Sequence, residues 1–260
     1  MSGVASVVDA VRSAAPLVHC ITATVSMNLV ADALLAAGAR PMMTETEAEA
    51  PVVDAVADVL LINLGTLSAD GAAGIPPTVA AARDRGAPWV LDPAAIGRGP
   101  VRTPLAHELA GRGPAVIRGN ASEILVLARA GEGGRGADST ARPEDAAAAA
   151  ASLARASGSV VAVSGPVDVI TDGDHVRRIA SGSPLLTRVT GTGCALGGLT
   201  AACCAVADPF EAAVAATAWL TGASERAAAA SRGPGSFRVG LLDELFLVTP
   251  AEVEGGVRWG

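Results

Sequence analysis

The residues that could do chemistry are densest at VTGTGC, Val189 to Cys194. Its glycines, Gly191 and Gly193, let successive amides turn into one concavity, and a helix starting there would add the positive end of its dipole. Such a turn suits an anion. Cys194 would stand at the helix start, where a thiol pKa tends to fall. A tight turn of small packing residues with an inert cysteine explains the spacing equally well.

A second set of candidates closes apolar, β-branched runs: Asn63, Asp92, Arg118 and Ser164. If those runs are parallel strands, the four side chains gather at the carboxyl edge of the sheet, where open α/β sheets bind ligands. Any one of them reads as an ordinary helix cap; four together, with a carboxylate and an arginine among them, read as a site. In RGNASE, Asn120 and Glu123 have the spacing of a capping box. That leaves Arg118 and the neighbouring Asp92-Pro93 unexplained. Two carboxylates beside an arginine suit a magnesium ion next to phosphates, because magnesium keeps several waters and needs only one or two protein carboxylates.

The elements that must position these residues are legible as alternation. Runs at 17–21, 59–63, 88–92, 115–120, 160–165 and 168–173 have strand character. Helical periodicity lies between several of them, as at Met27, Val30, Ala31, Leu34, Leu35 and Gly38. Strand alternating with helix predicts a three-layer α/β fold, a mostly parallel central sheet covered by helices on both faces, in one domain over 1–260. Asp172-Gly173 between two short runs predicts a hairpin and an antiparallel edge. After Gly193 three helical patterns follow, at about 194–206, 209–230 and 236–247, with Asp208 capping and Pro209 in the first turn. The alanine tract 146–151 reads as a surface helix.

Composition narrows the chemistry. The 260 residues carry a net charge of −7, which argues against a nucleic-acid or anionic-membrane footprint. All 19 basic residues are arginine, so a P-loop with its lysine is excluded. Cys20, Cys194, Cys203 and Cys204 lack zinc-ligand spacing and read as free thiols of a cytoplasmic protein. There is no signal-peptide pattern and no apolar run of membrane-spanning length. Gly131 to Gly136 spell G-x-G-x-x-G, but the stretch follows a helical pattern and not a strand, so it reads as a loop. His19, His107 and His175 fall in a strand, a helix and a hairpin and take core or surface roles.

The chain resembles the hydroxyethylthiazole kinases of thiamine biosynthesis, in the ribokinase-like superfamily. The similarity is collinear over about 16–248 and rests on PLVHCIT (16–22), MN (27–28), GARPMM (38–43), INLGTL (62–67), VLDP (90–93) and IRGNASE (117–123). It continues through GADS (136–139), VAVSGPVD (161–168), LLTRVTGTGC (185–194), DPFEA (208–212) and GPGSF (233–237). The resemblance implies ATP-dependent phosphorylation of 4-methyl-5-(2-hydroxyethyl)thiazole, with Cys194 catalytic beside Gly191, Thr192 and Gly193. It implies that Arg118, Ser164 and Asn120 contact ATP, that Met43, Gly191 and Asn28 contact the thiazole, and that Asp92 and Glu123 lie around magnesium. It also implies a homotrimer with sites between subunits. A hydroxymethylpyrimidine kinase or a non-catalytic nucleotide-binding protein of this fold are the alternatives. Two departures stand out: Cys20 where the family usually has asparagine, and Ala94-Ala95-Ile96-Gly97 where it usually has a valine and two glycines.

Overall fold

The computed structural model describes residues 3–129 and 143–260, so the 131–136 glycine stretch and GADS at 136–139 lie outside it. Its strands are β1 Leu17–Ile21, β2 Arg40–Met42, β3 Val59–Asn63, β4 Trp89–Asp92, β5 Val116–Asn120, β6 Val160–Ser164, β7 Asp168–Thr171 and β8 Val176–Ile179. They form one sheet in the order β2-β1-β3-β4-β5-β6-β7-β8. The pairs from β2 through β6 are parallel; β6–β7 and β7–β8 are antiparallel, which is the expected hairpin edge.

Because side chains alternate along a strand, a sheet buried on both faces builds two cores. In β3, Val59 and Leu61 enter one core while Leu60 and Ile62 enter the other. The first core is closed by α1 Val4–Ala14, α2 Met27–Ala36, α8 Thr192–Cys204, α9 Pro209–Ala230, α10 Pro234–Leu247 and α11 Pro250–Gly256. The second is closed by α3 Ala50–Asp54, α4 Ala69–Asp84, α5 Arg102–Ala110, α6 Ala121–Leu127 and α7 Pro143–Ser157. The alanine tract does form a helix surface, but Ala146 and Ala150 are buried against the sheet. No described helix is long and apolar enough to cross a membrane.

Three local results differ from the periodicity. The edge strand β2 and the short helix α11 were not read, since three and seven residues hold too little pattern. Helix α2 turns Leu29, Val30, Ala33 and Leu34 inward and leaves Leu35 59% exposed. Its packing against α8 explains this rotation: a Cβ on Gly198 would sit 3.2 Å from Val30 Cγ1, so the glycine lets the two helices approach and selects the face that meets it.

The helical layer is locked at one corner by Arg12. Its guanidinium lies 5.2 Å over the Trp219 ring and donates to the carbonyls of Leu245 and Phe246, at 3.0 and 3.1 Å, at the end of α10. A cation–π contact and capping of a helix end are each worth about 0.5–1 kcal/mol. Arg12→Ala is expected to lower the melting temperature by roughly 3–6 °C with kinetic constants unchanged, measured by differential scanning fluorimetry and a steady-state assay.

Candidate active site

Parallel register brings the polar strand ends level. Asn63 pairs directly with Asp92 across β3–β4, and Val90↔Val116 with Leu91↔Ile117 sets Arg118 beside Asp92. Their strand neighbours two residues back, Leu61, Val90 and Val116, all enter the first core, so Asn63, Asp92 and Arg118 face α8.

Arg118, 6% exposed, joins them: it donates to Asp92 Oδ2 at 3.3 Å, to the Gly193 carbonyl at 3.0 Å and to Ser164 Oγ at 2.5 Å. Asn63 donates to Asp92 Oδ2 at 2.6 Å and accepts from the Gly65 amide at 2.9 Å.

The glycine turn opens α8 as expected. Gly191 is its N-cap at φ +91°, and a Cβ there would lie 2.6 Å from Ser26 Cβ, so both conformation and space require glycine. The first intrahelical bond runs from Ala195 N–H to the Gly191 carbonyl at 2.8 Å. The amides of Thr192, Gly193 and Cys194 therefore precede it and point out of the helix end. The Thr192 hydroxyl donates to the Leu186 carbonyl at 2.8 Å, bracing the turn, so this residue offers an amide and not a hydroxyl.

The capping box of Asn120 and Glu123 is present. Glu123 accepts from the Asn120 amide and, with its other oxygen, from the Ala95 amide, both at 2.8 Å. The box thus anchors the loop after Asp92-Pro93 as well as α6. Burial and the charge of Asp92 push the Glu123 carboxyl up to about 7, against those amides and Arg118. Burial likewise raises Asp92, partly offset by Arg118 and Asn63.

Cys194 corrects one expectation. Its thiol is raised, not lowered: burial and the Asp92 charge outweigh hydrogen bonds from Ser26 and Asn63 and the charge of Arg118. The helix end is overridden by burial first and by the carboxylate sharing the same pocket second.

The residues expected on the substrate side are less tightly tied. Asn28, in the first turn of α2, accepts from Arg238 at 3.1 Å and is exposed. Two residues earlier, buried Ser26 abuts Gly191, so the start of α2 and the glycine turn share a wall. Met43 is half-buried just past the end of β2. Sequence reasoning missed Ser26 and Asp168. The latter is a buried carboxylate opening β7 that accepts from the Gly165 amide at 2.9 Å; a lone acid inside PVDVIT was its only signal.

No group of three metal-ligating side chains exists among the described residues. A divalent ion that keeps its waters does not need one. Asp92 fits such an ion, because its Oδ1 is buried without a partner among the described residues. Glu123 contributes nearby negative charge, although each of its oxygens already accepts an amide.

The architecture is shared with the ADP complex of Bacillus subtilis pyridoxal kinase, which superposes with a TM-score of 0.61 at 17% identity over 81% of this chain and 91% of that one. A mostly parallel sheet ending in these polar side chains beneath a glycine turn is the ribokinase-like α/β fold. Hydroxyethylthiazole kinase from Pyrococcus horikoshii OT3 superposes with a TM-score of 0.91 at 35% identity, covering 99% of this chain and 98% of that one. A family model described as the hydroxyethylthiazole kinase family matches residues 8–251. Hydroxyethylthiazole kinase of Clavibacter sepedonicus is 52% identical over 248 residues, 95% of this chain and 90% of that one. Its counterpart in Cereibacter sphaeroides (strain ATCC 17029 / ATH 2.4.9) is 47% identical over 258 residues, 99% and 98%. The chain belongs to the hydroxyethylthiazole kinase family.

The buried carboxyls make stability depend on pH. Asp168 is raised from 3.8 to about 7 by burial, against the Gly165 amide and Arg118. Between those values the folded chain binds more protons than the unfolded one, so its contribution is lost as pH rises towards 7. Asp168→Asn keeps an acceptor for the Gly165 amide and removes the charge. Its melting temperature is expected to exceed the parent's by a margin that widens by roughly 5–10 °C between pH 5 and pH 8, measured by scanning fluorimetry without nucleotide.

Proposed function

We propose that this protein transfers the γ-phosphoryl group of ATP to the primary hydroxyl of 4-methyl-5-(2-hydroxyethyl)thiazole, in the cytoplasm, for thiamine biosynthesis or salvage. The observation that carries the reading is the cradle itself: the first-turn amides of α8, which precede its first intrahelical bond, lie beside an Asp92–Arg118 pair whose arginine grips the Gly193 carbonyl. Phosphoryl transfer asks a protein mainly for positioning and charge stabilisation. The amides of Thr192, Gly193 and Cys194 hold the migrating phosphoryl group, doing what a lysine does elsewhere. Arg118, Ser164 and Asn120 form the ATP side; Arg118 supplies positive charge from beneath the turn.

A divalent ion, taken as magnesium, would be held at Asp92 with Glu123 nearby and would neutralise phosphate charge. Met43, Gly191 and Asn28 form the thiazole side. Because its thiol is raised, Cys194 is protonated near neutral pH and acts first by orienting the alcohol in line with the phosphate. A loose transition state needs little deprotonation of the nucleophile in advance.

We further propose a homotrimer with the sites between subunits. Exposed Leu35, Val239, Phe246 and Leu247, on α2 and α10, are apolar surface in want of a cover. Analytical ultracentrifugation is expected to give three times the 25.5 kDa chain mass, and a monomer removes the proposal.

The reaction is tested by ADP release with the thiazole alcohol and with hydroxymethylpyrimidine as separate acceptors. Turnover is expected with the first only; turnover confined to the pyrimidine would reassign the substrate, and none with either would point to a nucleotide-binding protein without activity. Cys194→Ala is expected to lower kcat by about 10- to 100-fold while calorimetry shows ATP affinity within about twofold of the parent. An unchanged kcat removes Cys194 from the mechanism.

A further inference from the structure

We infer that buried His19 is a positioning residue for the substrate side of the site, setting the place of Met43 through its contact with Thr44. The inference rests on the reading of Met43 as a thiazole contact.

The physical need is clear from the sheet. Strand β2 pairs with β1 over only three positions, ending at His19↔Met42, so Met43 begins a segment with no ladder to hold it. His19 reaches across from β1. Its Nε2 lies 3.0 Å from both the carbonyl and the hydroxyl oxygen of Thr44, and its Nδ1 lies 3.1 Å from Asp54 Oδ1. His19 and Asp54 are fully buried, and Asp54 Oδ2 accepts from Arg85 at 3.1 Å.

A carboxylate beside Nδ1 makes that nitrogen a donor. Nε2 then faces Thr44 with two options: in the neutral ring it accepts from the hydroxyl, and in the charged ring it donates to the carbonyl. The tether therefore holds in either protonation state. The next residue is gripped independently, since Ser68 donates to Glu45 at 3.0 Å and a Cβ on Gly74 would come within 2.0 Å of the Glu45 carbonyl oxygen. One wall of the substrate side is thus fastened to the core through polar contacts at Thr44 and close packing at Glu45. A misplaced contact of this kind weakens binding of the substrate it touches and spares the other.

Two substitutions separate this role from a merely structural one. His19→Asn keeps a donor at the Nδ1 position for Asp54 and loses the reach to Thr44; His19→Gln places its amide near the Nε2 position and keeps the tether. The expected result is a thiazole KM raised about three- to tenfold in His19→Asn, with the KM for ATP unchanged. In His19→Gln the thiazole KM should return to within about twofold of the parent. Gly74→Ala, which must displace the Glu45 carbonyl, should raise the thiazole KM alone by a similar factor.

If the parent turns over no thiazole, the substrate reading fails and this inference falls with it. If the parent is active and His19→Asn keeps its thiazole KM, or raises both KM values together, or behaves as His19→Gln does, the inference alone is overturned. Melting temperatures of the variants, read in parallel, identify the purely structural outcome: equal losses of stability with thiazole KM unmoved.

Discussion

The site depends on one buried guanidinium. Arg118 cannot leave its charge unpaired under α8, and removing a partner from such a pair costs about 3–5 kcal/mol. Its two terminal nitrogens donate to Asp92, Ser164 and the Gly193 carbonyl, so one side chain ties the ends of β4 and β6 to the start of α8. The bond to Gly193 has a further effect. The peptide between Gly193 and Cys194 is planar, so fixing the carbonyl of one residue fixes the amide of the next. Holding Gly193 from beneath therefore aims the Cys194 N–H out of the helix end, where an anion would sit. Arg118 is thereby at once a counter-charge and a clamp on the cradle.

Around that clamp the charges do not balance. Asp92, Glu123 and Cys194 all act electrostatically on Arg118, and burial works against every ionised form. Both carboxyls are raised, and so is the thiol. Such a pocket gains from added positive charge, which is what a divalent ion accompanying a nucleotide brings. The thiol is raised at a helix start for two reasons: burial penalises its charged form most, and Asp92 beside it opposes the positive end of the dipole, which amounts to about half a charge.

Much of this was legible in the sequence because it rests on local rules. Strand ends were marked by Asn63, Asp92 and Ser164, the capping box by Asn120 and Glu123, and the hairpin by Asp172-Gly173, whereas Arg118 lies two residues inside the end of β5. The order of residues along the chain carries these directly. What was not legible depends on encounters across it. Nothing in GARPMM says that Arg40–Met42 will find β1, and no local pattern shows that Cys194 will be buried, and beside Asp92, so that its thiol is raised and not lowered. The face of α2 was set by Gly198, about 170 positions away in the chain, where the absence of a side chain admits Val30 and Leu34. His19 read as a core or surface residue and lies in the core; only the fold places Asp54 and Thr44 on its two nitrogens.

The loop after Asp92 shows how a departure from the family's usual residues is absorbed. Where a valine and two glycines are usual, this chain has Ala94-Ala95-Ile96-Gly97, and Ala95 adopts φ +61°. An alanine in that conformation costs about 1–2 kcal/mol. The Ala95 amide donates to Glu123 at 2.8 Å, a charge-assisted bond worth about 1.5–3 kcal/mol when the carboxylate is ionised. Relaxing the backbone to negative φ would turn that amide away and leave a buried carboxylate with one acceptor interaction fewer. The loop is therefore held in its strained form by Glu123, while Glu123 is held in place by Asn120 through the capping box. Strain in the loop, charge on Glu123 and the start of α6 are coupled, so the loop next to Asp92 keeps its shape without the glycine that its conformation would favour.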